Sequence, residues 1–201
     1  MAKERKKRVK IGLKRSLALI LILALSLGFG LAYESIYRHV ELYLHPKPVT
    51  IADTVERYSL LYGVPQNIVY AVIKCESDFV TEAQSHKNAR GLMQMTPDTF
   101  EWLQTRTGEE YAVEALYDAE ISIKYGTLYL SLLKEEFPVW ETVYAAYNAG
   151  PNRVREWLKN ETIGHGGILY NIPYKETRNY VKKVVKTAEL YTKLYDEENA
   201  A

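Results

Sequence analysis

From Ile51 onward, apolar residues recur at spacings of three and four, the period of helices with one buried face. Ile51, Val55, Tyr58, Leu61 and Tyr62 share one side of a first helix, and Gly63 is its stop signal. Pro65 is suited to open the next helix, whose stripe is Ile68, Val69, Val72, Ile73 and then Glu76. Thr96-Pro97 reads as a cap followed by a first-turn proline. Tyr117, Ile121, Tyr125, Leu128 and Leu132 mark a long helix up to Phe137. Pro138 opens VWETVYAAYN, Gly150 ends it, and Pro151 opens NRVREWLK. Asn160–Asn171 holds three glycines and reads as a loop. A last long helix after Pro173 carries Tyr180, Val181, Val184, Val185, Ala188 and Tyr191 on its face. The only extended stretch expected is a short one near Glu82–Gly91. The pattern predicts an all-α protein with a single compact domain over residues 51–195, and a tail at 196–201.

The N-terminus follows a different pattern. Residues 1–15 carry eight Lys/Arg and one Glu, a basic tail of net charge +7 that leaves −6 for the rest of a chain of net +1. Residues 16–33, SLALILILALSLGFGLAY, contain no charge over 18 positions, long enough to cross a bilayer as a helix. The basic flank would stay in the cytoplasm and the domain outside it. This segment reads as a membrane anchor. A cleaved signal peptide ending near Gly30-Leu31-Ala32 is the alternative, and would make the domain a secreted one. Residues 34–50, with Pro46 and Pro48, read as a linker. A mildly acidic folded part argues against a nucleic-acid partner. Cys75 is the one cysteine, so no intrachain disulfide forms, and it reads as a small buried hydrophobe. His39, His45, His86 and His165 show no metal-ligand spacing, and no metal or cofactor is expected.

The chemistry centres on KCESDF, residues 74–79. Positions 69, 72, 73 and 76 share one helix face, so Glu76 points where its apolar neighbours point. Desolvation and the negative end of a helix both disfavour a charged carboxyl. A glutamic acid kept protonated near neutrality is what a general acid needs. Taken by itself, the stripe also fits an exposed Glu on a last helical turn.

Four segments in order change that picture: ESDF followed by Ser85, ARGLMQMTPDTF, AAYNAGPNRVREWL and IPYKETRNYVKKV. Together they resemble the catalytic domain of lytic transglycosylases of the soluble-lytic type, over roughly residues 52–190. The resemblance implies a goose-lysozyme-like helical fold and makes Glu76 the single catalytic acid/base. It places Ser85 close to the substrate, Gly91, Leu92, Met93 and Gln94 along a sugar groove, and Tyr147 and Asn148 in the site. It makes Glu176 and Tyr180 substrate-binding or structural groups. Each segment has a plainer reading on its own. Ser85 could be a cap, Gly91 a close backbone approach, Asn148 and Gly150 helix termination, and Glu176 a partner of a helix dipole. The chain departs from the family pattern at Asn88, where Gly is common, and at Ser122, where Asn is frequent. Asn tolerates a left-handed backbone, so the turn at 88 is expected to survive.

The resemblance also implies a mechanism with one carboxylate. Glu76 would protonate the glycosidic oxygen between N-acetylmuramic acid and N-acetylglucosamine, the 2-acetamido group would assist departure, and Glu76 would then accept the C6 hydroxyl proton. The muramic C6 oxygen closes onto C1, giving a 1,6-anhydro end without consuming water. Asp78, two positions from Glu76, is a poor second carboxylate. A goose-type lysozyme that uses water, or a non-catalytic membrane-anchored glycan-binding scaffold, are the alternatives. The partners implied are peptidoglycan glycan strands and, through the N-terminal helix, a membrane.

Overall fold

The computed structural model describes residues 2–196, and their side chains from Leu19 to Tyr195. Residues 197–201, most of the expected tail, lie outside the described residues. The chain divides into two compact units, with the break after Pro46.

The first unit is one helix, α1 (Ala2–Leu44). It runs on through the segment expected to be a linker. Residues 34–44 turn polar and aromatic, but they contain neither Gly nor Pro, so nothing ends the helix until Pro46 and Pro48. Leu19–Leu44 has a mean hydropathy of 2.0 over its most apolar stretch and none of that stretch is buried. Among the described residues it is the one helix long and apolar enough to cross a bilayer.

The second unit is helical, as the 3.6-residue period predicts. Its helices are α2 (Val49–Tyr62), α3 (Gln66–Glu76), α4 (Pro97–Thr107), α5 (Ala119–Glu136), α6 (Trp140–Ala149), α7 (Pro151–Leu158) and α8 (Lys175–Tyr191). The punctuation follows the sequence signals. Gly63 ends α2 in the left-handed region with φ of 66°, its N–H donating to the Ser59 carbonyl. The Thr96 side chain caps α4 by accepting from the Thr99 N–H, with Pro97 in the first turn. Asp118 caps α5 through the Ile121 N–H. The glycine-rich 160–171 segment is not only loop. Gly164–His165 (β1) and Ile168–Leu169 (β2) pair antiparallel across a Gly166-Gly167 turn.

α3 differs from its expected one-sided stripe. Ile68 through Ile73 are all buried, Tyr70 and Ala71 included. A helix apolar all round is a central one. α8 packs along it, and so does α2, while α6 packs against α8. Tyr70 stacks on Tyr191 at 5.6 Å between ring centroids, fixing the α3–α8 pair at one end. Glu76, the last residue of α3, is therefore held by helices on several sides.

Candidate active site

Glu76 closes the last turn of α3, and three further segments converge on it: the loop after α3 and facing positions of α6 and α8. α3 stops abruptly. Ser77 Oγ donates to the Leu92 carbonyl at 2.8 Å, Ser77 is buried, and Asp78 and Phe79 then take φ of 52° and 65°. Two successive non-glycine residues in the left-handed region are costly and turn the chain away from the helix axis. Asp78 is thus not on the helix, as the spacing argument assumed. Its carboxylate is mostly solvent-exposed and ion-paired with Lys74, which still leaves it a poor partner for Glu76.

The loop from Val80 to Met95 is pinned by hydrogen bonds rather than by regular structure. The short extended stretch expected near Glu82–Gly91 is reduced to single bridges, Gln84 with Arg90 and Arg90 with Met95. Ser85 Oγ accepts from the N–H groups of Lys87 and Ala89, closing the turn that Asn88 completes at φ of 62°. The left-handed turn at 88 survives with asparagine, as expected. Gly91 sits at φ of 76°, and a Cβ there would lie 1.9 Å from the Leu116 carbonyl oxygen. No other residue fits that approach. Leu92 and Met93 are fully buried, so their side chains belong to the core and what they present to the site is backbone. Ser122, the second departure, is buried and accepts the Met93 N–H at 3.1 Å, so the polar contact is made. Gln94, at φ of 48°, donates from Nε2 to the carbonyls of Ala83 and Gly91, which braces the loop.

Tyr147 on α6 donates its hydroxyl to the Met93 carbonyl at 2.7 Å, tying that helix to the loop. Tyr180 Oη on α8 is buried beside Glu76 and faces its carboxyl. Burial, followed by the charge of Glu76, holds both phenols well above their ordinary range. Glu76 itself is partly exposed by surface while its carboxyl is ringed by protein atoms. Desolvation pushes its pKa up to about 7, against smaller opposing effects of the Tyr180 hydroxyl and the Lys183 ammonium. Lys183 Nζ donates to the Cys75 carbonyl at 3.1 Å, which sets that cation at the end of α3. Cys75 packs against Thr187, and burial raises its thiol, which disfavours the thiolate.

A cleft of about 210 Å³, lined by Gln94, Thr96, Tyr147 and Asn148 among others, reaches this cluster at Tyr147, and Glu76 lies behind that residue rather than in the cleft lining. Glu176 lies apart in exposure: its side chain is 77% exposed in the first turn of α8, 4.0 Å from Lys87 Nζ. It stands one turn from Tyr180 on the same helix face. Among the described residues no cluster of His, Cys, Asp and Glu could hold a metal ion.

The transglycosylase SLT domain matches residues 53–166. The chain belongs to that family. It is 34% identical over 149 residues to the soluble lytic murein transglycosylase of Escherichia coli (strain K12), covering 69% of this chain and 22% of that protein. It is 30% identical over 161 residues to the membrane-bound lytic murein transglycosylase C of Actinobacillus pleuropneumoniae, covering 68% and 44%. The structure of the 70 kDa soluble lytic transglycosylase of E. coli superposes with a TM-score of 0.66 at 32% identity, over 74% of this chain and 24% of that one. An inactive Glu-to-Gln mutant of the lytic transglycosylase Slt from Pseudomonas aeruginosa gives 0.62 at 31% identity, over 71% and 24%. The chain thus spans less than half the length of these relatives.

Several residues that shape this SLT domain escape a motif reading. A Cβ on Gly126, inside α5, would meet Met93 Sδ at 2.3 Å, so this glycine is what lets the loop lie against the helix. A glycine inside a helix costs up to ~1 kcal/mol relative to alanine, and that cost was the available signal. Ser77 and Lys183 left no comparable trace, because their partners are backbone carbonyls at positions no periodicity marks.

Proposed function

We propose that this chain is a peptidoglycan lytic transglycosylase that cleaves the bond between N-acetylmuramic acid and N-acetylglucosamine without water and leaves 1,6-anhydro ends. The observation that carries the reading is Glu76, a lone carboxyl beside a cleft, held near pKa 7 by burial. Such a group is protonated often enough to act as an acid and is a competent base once ionised. Protonated Glu76 donates to the glycosidic oxygen. The substrate's acetamido group assists departure, and the C6 hydroxyl gives its proton back to Glu76 as its oxygen bonds to C1. Tyr180 Oη, buried and facing Glu76, is placed to orient the carboxyl or a sugar group beside it. Gln94, Asn148 and the backbone of Gly91, Leu92 and Met93 form the glycan-facing wall, Tyr147 fixes it, and Ser85 holds the loop. Glu176 contributes to glycan binding at the rim. The names of the relatives support the substrate, and the inactivity of a Glu-to-Gln relative fits a single essential glutamate.

The apolar helix and the likeness to a membrane-bound transglycosylase support a place at the membrane, with α1 as a single-pass anchor and the catalytic unit on the outer face. The test is mass spectrometry of muropeptides released from purified peptidoglycan by the full chain in detergent, beside Glu76→Gln. Products one water lighter than ordinary muropeptides, absent with the variant, are expected. Ordinary reducing ends identify a lysozyme-type hydrolase instead, and no products from the wild type point to a glycan-binding scaffold.

A further inference from the structure

Charge is unevenly placed in the second unit. Residues 47–201 carry 17 Lys/Arg against 22 Asp/Glu, whereas α8 by itself carries five against two. Four of the five, Lys175, Arg178, Lys182 and Lys186, follow one another at spacings of three, four and four, so they share one helix face. The buried residues of α8, Val181, Val184, Ala188 and Tyr191 among them, lie on the opposite face, which makes the basic line the outermost strip of the helix. Lys175, Lys182 and Lys186 are exposed, and among the described residues none of them enters an ion pair. The Arg178 guanidinium donates to the Ile172 carbonyl. Glu189 is the one carboxylate on the strip. Like charges four positions apart destabilise a helix, and Arg178, Lys182 and Lys186 form two such pairs in succession. The strip therefore works against the isolated fold, and a negatively charged surface laid along it relieves the repulsion.

Two observations say which surface. The first is the tether. Only residues 45–48 separate the end of α1 at Leu44 from the start of α2 at Val49. Past the uncharged span 16–33, α1 continues through Glu34–Leu44, about 16 Å at 1.5 Å per residue. The headgroup layer takes up roughly 6 Å of that length. A unit of this size has a radius of gyration of about 15 Å, so the tether is short enough for its surface to reach the headgroups. The second observation is where the tether enters the unit. Lys47 Nζ lies over the rings of Tyr195 and Tyr70, at 4.4 and 5.3 Å, and Tyr70 stacks on Tyr191, the last residue of α8. The chain thus joins the unit at the C-terminal end of α8, and the basic strip starts from that corner. An anionic wall polymer has the same charge, but nothing ties it to this corner as the tether ties the bilayer.

We propose that the outer face of α8, with Lys175, Lys182 and Lys186 as its unpaired cations, is a docking surface for the anionic lipid headgroups of the membrane that α1 spans. The proposal rests on the reading of α1 as a single-pass anchor and adds an orientation to it. Tyr180 faces Glu76 from the other side of α8, so docking on the strip turns that side of the helix away from the bilayer. Each lysine brought to an anionic surface favours the docked state roughly fivefold, so three favour it on the order of a hundredfold. High salt screens the effect.

The test places the full chain in nanodiscs of phosphatidylcholine alone or of phosphatidylcholine mixed with phosphatidylglycerol. Trace acetylation by a water-soluble reagent is then followed lysine by lysine by mass spectrometry, so the basic N-terminal tail does not confuse the result. Lys175, Lys182 and Lys186 are expected to label roughly threefold or more slowly on the anionic discs and to recover in high salt. Lys159, exposed at the end of α7, should label alike on both. In the variant carrying Lys182→Gln and Lys186→Gln, Lys175 should label on anionic discs at nearly its neutral-disc rate. That variant should keep its thermal midpoint and its turnover of soluble glycan strands, which shows that the change is not unfolding. Equal labelling of the three lysines on both lipids overturns the proposal, and so does slow labelling of Lys175 that persists in the variant. Protection on neutral discs by a soluble glycerol phosphate polymer, with none from phosphatidylglycerol, overturns the lipid and points to a wall polymer. A chain that alkaline carbonate strips from vesicles sinks the anchor reading instead, while its labelling beside phosphatidylglycerol vesicles still decides on the strip.

Discussion

Two ends of helices, the last turn of α3 and the first turn of α8, each carry a glutamate that the motif pattern singles out. Their surroundings are opposite. Glu76 closes a helix buried on every side, and its carboxyl is surrounded by Tyr180 and Tyr147, with Lys183 the one cation that acts on it appreciably. Glu176 stands in solvent, 77% exposed, with Lys87 Nζ at 4.0 Å. Burial makes the contrast, because desolvation is the largest cause of the Glu76 shift. A carboxyl is made an acid by what is packed around it, and Glu176, on another helix, has nothing comparable packed around its side chain.

The largest expected effect breaks the comparison at its root. Glu76→Gln should lower kcat on peptidoglycan by roughly 10³-fold, in the range of a lost general acid/base. Glu176→Gln should change kcat by less than about tenfold and act mainly on affinity or stability. Steady-state kinetics on soluble glycan strands checks both, and equal losses in kcat would remove the distinction drawn between the two glutamates.

Next in size is the loop that builds the wall opposite Glu76. Gly91→Ala forces a Cβ against the Leu116 carbonyl at a positive φ, and should cost about 3 kcal/mol or more. Denaturant unfolding of the variant measures it. A loss under 1 kcal/mol would mean that the loop relaxes away from the Leu116 carbonyl at little cost.

Burial of Glu76 also has a cost in stability with a definite sign. Its folded pKa lies above the unfolded value of 4.5, so the stability associated with its proton is present below pH 4.5 and lost as pH rises through about 7. Glu76→Gln, which stays neutral, should therefore be increasingly more stable than the wild type from pH 4.5 to 7, by up to about 3 kcal/mol at neutral pH and above. Thermal unfolding across that range checks it, and a pH-independent difference would show that the carboxyl is not the buried acid described.

The smallest effect concerns the cation that tempers it. Lys183 favours the ionised form of Glu76, so Lys183→Met should raise the Glu76 pKa and move the alkaline limb of kcat/KM upward from near pH 7. Lys183→Arg should restore the limb. Loss of activity with no change of limb would make Lys183 only a clip between α8 and the Cys75 carbonyl.

Much of this was legible in the residues. Gly63, Thr96-Pro97 and Gly150-Pro151 mark helix ends through backbone chemistry that acts within a few positions, so local sequence is sufficient to place them. Glu76 and Tyr180 could be named from segment order alone. Elsewhere local signals misled. Pro46 and Pro48 suggested a linker over residues 34–50, yet α1 continues to Leu44, because a proline stops a helix only at its own position and just before it. Leu92 and Met93 lie in a motif associated with a groove, yet the direction of their side chains is set by the close approach of the loop to Gly126, which is remote in sequence.

The sequence by itself determined the helical class, the apolar N-terminal span, most helix boundaries and the identity of the candidate acid, since each follows from periodicity, capping or ordered motifs within the chain. Tertiary structure alone decided that α3 is buried on every side and that Glu76 titrates near 7 while Glu176 faces solvent. Those properties depend on desolvation and on contacts between residues far apart in the chain, and both exist only once the helices are packed.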